Sequence, residues 1–94
     1  KYNPIQGLWR SNKKSESGIY FSEDFKIYSV KFASSTQYVI EGTGQNYQIN
    51  DKAFSYRSNS IRIYKVTAEG KSLMFYSYND SEINGSYYTK IEER

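Results

Sequence analysis

The side chains that most often carry catalysis or hold metal are missing from this chain, which has His 0 and Cys 0 in 94 residues. A Ser-His-Asp triad, a thiol nucleophile, a disulfide framework and an ordinary zinc site are therefore excluded. What remains is carboxylates, cations and phenols. Glu23-Asp24 and Glu92-Glu93 are sequence neighbours, and neighbours on a strand point to opposite faces, so neither pair suits general acid and base work. The run Asp80-Ser81-Glu82-Ile83-Asn84-Gly85 has oxygen ligands at alternate positions and Gly sixth, like the start of a calcium loop. Its twelfth position is Ile91, where a bidentate Glu is required, so it reads as a turn. Arg57, Arg62 and Lys65 stand among aromatic residues, a pattern that suits bases stacking on Tyr while cations follow phosphates. Glu41, Glu69 and Asp80 interrupt that charge, and a net charge of +3 is modest, so nucleic acid is not the expected partner. No metal or cofactor is expected, and the balance favours binding over catalysis.

Phenols are the abundant functional group, with Tyr 11 and Phe 5 beside a single Trp. Such a composition belongs to strands, because aromatic and β-branched side chains fit a pleated surface while the usual helix formers Leu, Ala and Met are scarce. Residues 1–94 suffice for one domain. Alternation at period 2 between turn signals dominates the chain and predicts strands over 5–9, 19–21, 25–32, 36–41, 45–49, 54–56, 61–66, 73–78 and 85–92. Ile27 breaks the phase of the third, as a bulge would. Gly42-Thr43-Gly44 marks a sharp corner, Asn50-Asp51 a hairpin turn, and Ser58-Asn59 and Glu69-Gly70 further turns. No stretch has a helical period over ten residues; Ser22-Glu23-Asp24 would begin a single turn at most. Short links between consecutive strands require antiparallel neighbours, so the fold class is all-β. We expect an up-and-down meander of eight or nine short strands closing into a small barrel, with a sandwich as the alternative.

Gly7-Leu8-Trp9 in the first strand of such a meander resembles the Gly-x-Trp signature of the lipocalin-like, or calycin, group of small β-barrels. Gly44-Gln45-Asn46-Tyr47-Gln48-Ile49 is similar to the central Gly-x-Tyr-x-Ile hairpin of short bacterial members, with Gly one position off. The resemblance implies that Trp9 plugs the closed end beside Gly7, and that a basic residue of the last strand lies over its ring. Lys90 holds that place, where the family more often has Arg.

With Tyr28, Tyr38, Tyr47 and Tyr56 read onto one inward face, the expected ligand-lining residues are Phe32, Tyr38, Ile40, Tyr47, Phe54 and Tyr56. They would hold a small apolar or aromatic molecule, its orientation fixed by Tyr hydroxyls. The rival expectation is a filled barrel that acts as a protein-interaction module, with Tyr64, Tyr76, Tyr78, Tyr87 and Tyr88 on the outside as contact residues. No apolar run is long enough for a transmembrane span. The absence of Cys and of an initiator Met suits an exported, periplasmic or lipid-anchored protein of a bacterial envelope, with the cytoplasm as the alternative.

Overall fold

A computed structural model describes residues 3–57 and 60–92. Eight strands follow one another: β1 (Gly7–Ser11), β2 (Ser17–Phe21), β3 (Lys26–Phe32), β4 (Tyr38–Ile49), β5 (Ala53–Tyr56), β6 (Ser60–Thr67), β7 (Ser72–Ser77) and β8 (Ser86–Ile91). Each pairs antiparallel with the next, and β1 pairs with β8 to close the barrel. The expected all-β meander is therefore the architecture found. A single 3-10 turn, Glu82–Asn84, lies in the β7–β8 connection, where Asp80 accepts hydrogen bonds from the Ser81 N–H and the Asn84 amide. The Ser58-Asn59 turn and Glu93 lie outside the described residues.

Turn chemistry sets the short links. The Asn50 side-chain oxygen accepts the N–H groups of Lys52 and Ala53 at 2.8 and 2.9 Å, an Asx turn that leads directly from β4 into β5. The two stretches 36–41 and 45–49 are one bent strand. Ile27 pairs with Gln45 and Ser29 with Glu41, so Gly42-Thr43-Gly44 stands opposite Tyr28 alone. The Tyr28 ring lies only 2.7 Å from where a Cβ on Gly44 would stand, and Gly44 has φ +80°. Both constraints select glycine at this bulge.

Two hydrophobic clusters result, on the two faces of the wall. The interior cluster is built on Ile5, Trp9, Phe21, Tyr47, Phe54 and Leu73, with Ile19, Ile27, Ile49, Tyr56, Tyr64, Val66, Phe75 and Tyr88 packed against it. The outer cluster is Leu8, Val30 and Phe32, flanked by Tyr20 and Ile91. Cross-strand neighbours share a face, and Tyr38 pairs with Phe32 and Ile40 with Val30. Phe32, Tyr38 and Ile40 therefore stand on the outer face, contrary to the expected lining, and Tyr28 stands with them. On β3 the residue that broke the phase, Ile27, is the one that faces in. The apolar stripe Tyr28/Val30/Phe32 is real but covers the outside. The Phe32 ring packs on Gly18, and the Arg10 guanidinium lies 4.2 Å above that ring while donating to the Ser34 carbonyl at 2.6 Å.

Candidate functional site

The two ends of the barrel differ. At the closed end the segment before β1 folds under the core. The buried Ile5 offers its carbonyl to the Trp9 indole N–H at 2.8 Å, and the Asn3 amide donates to the Tyr47 hydroxyl at 2.6 Å. Burial still pushes the Tyr47 phenol above its ordinary pKa, with the Asn3 bond acting the other way and the Asp24 charge adding slightly. Lys90, paired with Trp9 across β1 and β8, holds its ammonium 5.2 Å from the indole ring centre and donates to the Gln6 carbonyl at 2.7 Å. The Lys90 Cε would lie 2.8 Å from a Cβ on Gly7, whose φ is +125°. Gly7 thus gives the lysine stem its path to the tryptophan. Tyr47 and Phe54 are buried in this packing and touch Phe21 edge-on, so they act as core rather than as walls of a void.

Toward the other end the interior changes character. Phe75 and Tyr88 stack 5.2 Å apart at 12°, and Phe54, against which Phe75 stands edge-on, stacks on Tyr56. Tyr56, Phe75 and Tyr88 form a floor facing the mouth, over the buried Phe54. Arg62 pairs with Phe54 on one side and Ser77 on the other, so it points inward, with its guanidinium 5.7 Å from the Tyr56 ring centre. Its Nη2 donates to the Tyr56 hydroxyl at 3.5 Å. Burial raises the pKa of the Tyr88 phenol, and the neighbouring Tyr56 phenol raises it further.

Above the floor the same inward positions hold serine on six strands. Ser11 pairs with Tyr88, Ser29 with Ile19, Ser60 with Tyr56, Ser77 with Arg62 and Ser86 with Phe75, while Ser17 lies two residues from Ile19 on β2. Glu41, paired with Ser29, completes the ring at β4. The mouth is thus a collar of serines joined by Glu41 and by Lys31, which pairs with Ser17, over aromatic rings beside Arg62.

Two concavities open at this collar. One of about 540 Å³ is lined by Ser11, Lys14, Ser17, Ser86 and Tyr88 among others. The second, about 350 Å³, lies where β4 parts from β5 and includes Ile19, Ser29, Glu41, Tyr56 and Arg57. A larger hollow of about 810 Å³ lies at the closed end, between Pro4 and the β4–β5 and β6–β7 turns. There the Tyr64 hydroxyl donates to the Asn50 carbonyl at 2.8 Å, a bond that ties strand to turn. Among the described residues no group of three or more carboxylates is placed to hold a metal ion, and no helix is long and apolar enough to cross a membrane.

Of the six expected lining residues, only Tyr56 reaches the mouth; Tyr47 and Phe54 are core, and Phe32, Tyr38 and Ile40 are outside. Tyr64 and Tyr88, expected outside, pack inside, whereas Tyr78 and Tyr87 are exposed. Arg62, Phe75 and the serines escaped the sequence reading. The signal for Arg62 was its even spacing from Tyr64 and Val66, which places it on their face. The chain matches no family model, and the search of curated proteins gives no match.

Proposed function

We propose that this domain is a non-enzymatic binding protein of the lipocalin-like kind that takes a small aromatic molecule with a polar or anionic end into the barrel mouth. The observation that carries the reading is the inward placement of Arg62 near the Tyr56 ring, on the same inner face as the stacked Phe75 and Tyr88 and beneath the serine collar. The rings offer a face for stacking, the guanidinium offers planar donors to a carboxylate or sulfonate, and the hydroxyls exchange their water for ligand hydrogen bonds. An exported or envelope location fits a domain that needs neither thiols nor metal.

Titration with anilinonaphthalene sulfonate, followed by fluorescence, tests this. Saturable one-to-one binding is expected, weakened about tenfold, or ~1.4 kcal/mol, in Arg62→Ala, and a raised melting temperature on saturation. Absence of binding across a panel of aromatic acids and fatty acids would remove the proposal. The reading as a protein-interaction module draws support from Tyr78, Ile83 and Tyr87, which are exposed together around the β7–β8 connection. Pull-down with Tyr78→Ser and Ile83→Ser variants discriminates it, because those exposed residues lie outside the concavities of the mouth and their changes leave dye binding intact.

A further inference from the structure

Among the described residues the β4–β5 seam of the barrel is incomplete. β5 pairs with β4 only at Tyr47, Gln48 and Ile49, while β3 follows β4 up to Tyr38. Among the described residues no strand pairs with the other side of β4 over Val39–Gly44. This edge is apolar where it is most open: Val39 is 62% exposed and Ile40 39%. Backbone direction can be read from the neighbouring bonds. The Phe32 N–H donates to Glu16 on the β2 side at 2.8 Å, and the Ala33 N–H donates to the Gln37 carbonyl at 2.8 Å. The pair 32/38 therefore does not exchange hydrogen bonds, and by alternation neither does 30/40. The Ile40 N–H and C=O point away from β3, into the open edge.

We propose that this edge pairs with the same edge of a second copy of the chain, antiparallel about a two-fold axis at Ile40. Three features favour a second copy. First, the register that sets Ile40 against its counterpart sets Val39 against Glu41 of the other copy. Lys31, beside Val39 on the same face, then reaches over that valine toward the opposing carboxylate, twice by symmetry. Shifting the axis to Glu41 would instead set two carboxylates face to face, which is destabilising. Second, Ile40 adjoins Val30 on the outer face, so the pairing joins the two outer clusters into one apolar band. Third, the Gly42-Thr43-Gly44 bulge ends the regular edge after a few residues. A short edge used once by each copy closes the assembly at two rather than propagating.

Sedimentation across a concentration series reads the association. A dimer whose fraction rises with concentration is expected. Ile40→Pro removes the edge donor without touching the β3–β4 ladder, and it should weaken association more than about tenfold while leaving the far-ultraviolet spectrum unchanged. If that variant does not fold, Ile40→Lys gives the same reading by setting two ammonium groups at the axis. Because the chain has no cysteine, Ile40→Cys carries a single thiol, and directly opposed residues of a hydrogen-bonded pair lie within disulfide reach. With oxidised glutathione as electron acceptor, Ile40→Cys should link into a covalent dimer much faster than Tyr78→Cys. Wild-type chain that stays monomeric into the millimolar range overturns the proposal. So does faster linkage of Val39→Cys than of Ile40→Cys, or association undiminished by both Ile40 variants.

Discussion

The closed end and the mouth of this barrel are built from the same aromatic alphabet, yet they use it differently. At the closed end Ile5, Trp9, Phe21 and Tyr47 are buried, and the polar atoms there find protein partners: the Trp9 indole on Ile5, the Tyr47 hydroxyl on Asn3, the Lys90 ammonium on Gln6. At the mouth, rings of similar size carry hydroxyls and a guanidinium that face a serine-lined opening. A small barrel buries only a little over ~60% of its unfolded surface, so its stability has to be concentrated. Concentrating it at one end leaves the other free to be shaped by something else.

The contrast breaks most sharply at Trp9. Trp9→Ala should cost ~3–5 kcal/mol, from lost burial and a cavity that the rigid wall cannot collapse; urea unfolding measures it. On the outside of the wall, a Cβ on Gly18 would collide with the Trp9 carbonyl oxygen and sit 2.6 Å from the Phe32 ring. Gly18→Ala should therefore lower stability by ~1–3 kcal/mol by forcing those groups apart. An unchanged unfolding midpoint would mean that the outer cluster contributes little.

Lys90→Met keeps the apolar stem over Trp9 and removes the cation. The expected loss is ~0.5–1 kcal/mol, with dye affinity unaltered, since this pair closes the barrel at the far end from the mouth. Arg62→Ala should do the reverse: its stability cost should stay at or below ~1 kcal/mol, the scale of its single cation–π contact with Tyr56, while anionic dye binding falls.

The smallest effect near neutrality is that of pH. Burial raises the phenol pKa of Tyr47 and Tyr88 above the ordinary 10.0. Each folded phenol holds its proton where the unfolded one begins to lose it. The stability they contribute is full below pH 10.0 and declines as pH rises through their raised values. Alkaline unfolding of Tyr88→Phe should be less steep than that of the parent, and a parallel decline in both would place the effect elsewhere.

Much of the fold was legible in the sequence because its signals are local. Asn50-Asp51 made its turn through one side chain, and period-2 alternation marked β6 and β7 as strands, although Tyr64 of β6, expected outside, packs inside. Which face is inside was legible only in part. Tyr28, Val30 and Phe32 carry the apolar stripe of β3, yet the barrel takes Ile27 and Ser29 inside and covers the stripe with Leu8, Tyr20 and Arg10. That cover comes from β1 and β2, so no window on β3 alone contains it. Similarly, Tyr38 and Tyr47 lie nine positions apart, an odd spacing that sends them to opposite faces across the Gly42–Gly44 bulge. The mouth was hidden for a further reason. Single serines on six strands form no motif until the register brings them to one level.

Chemical-shift mapping of the isotope-labelled domain with anilinonaphthalene sulfonate tests the assignment of the two ends most directly. Saturable shifts concentrated at Ser17, Ile19, Tyr56, Arg62, Phe75, Ser86 and Tyr88, with Pro4, Val66 and Gly70 unmoved, are the expected result. Shifts confined to Pro4, Val66 and Gly70, or to Val30 and Ile40 on the outer face, would contradict it.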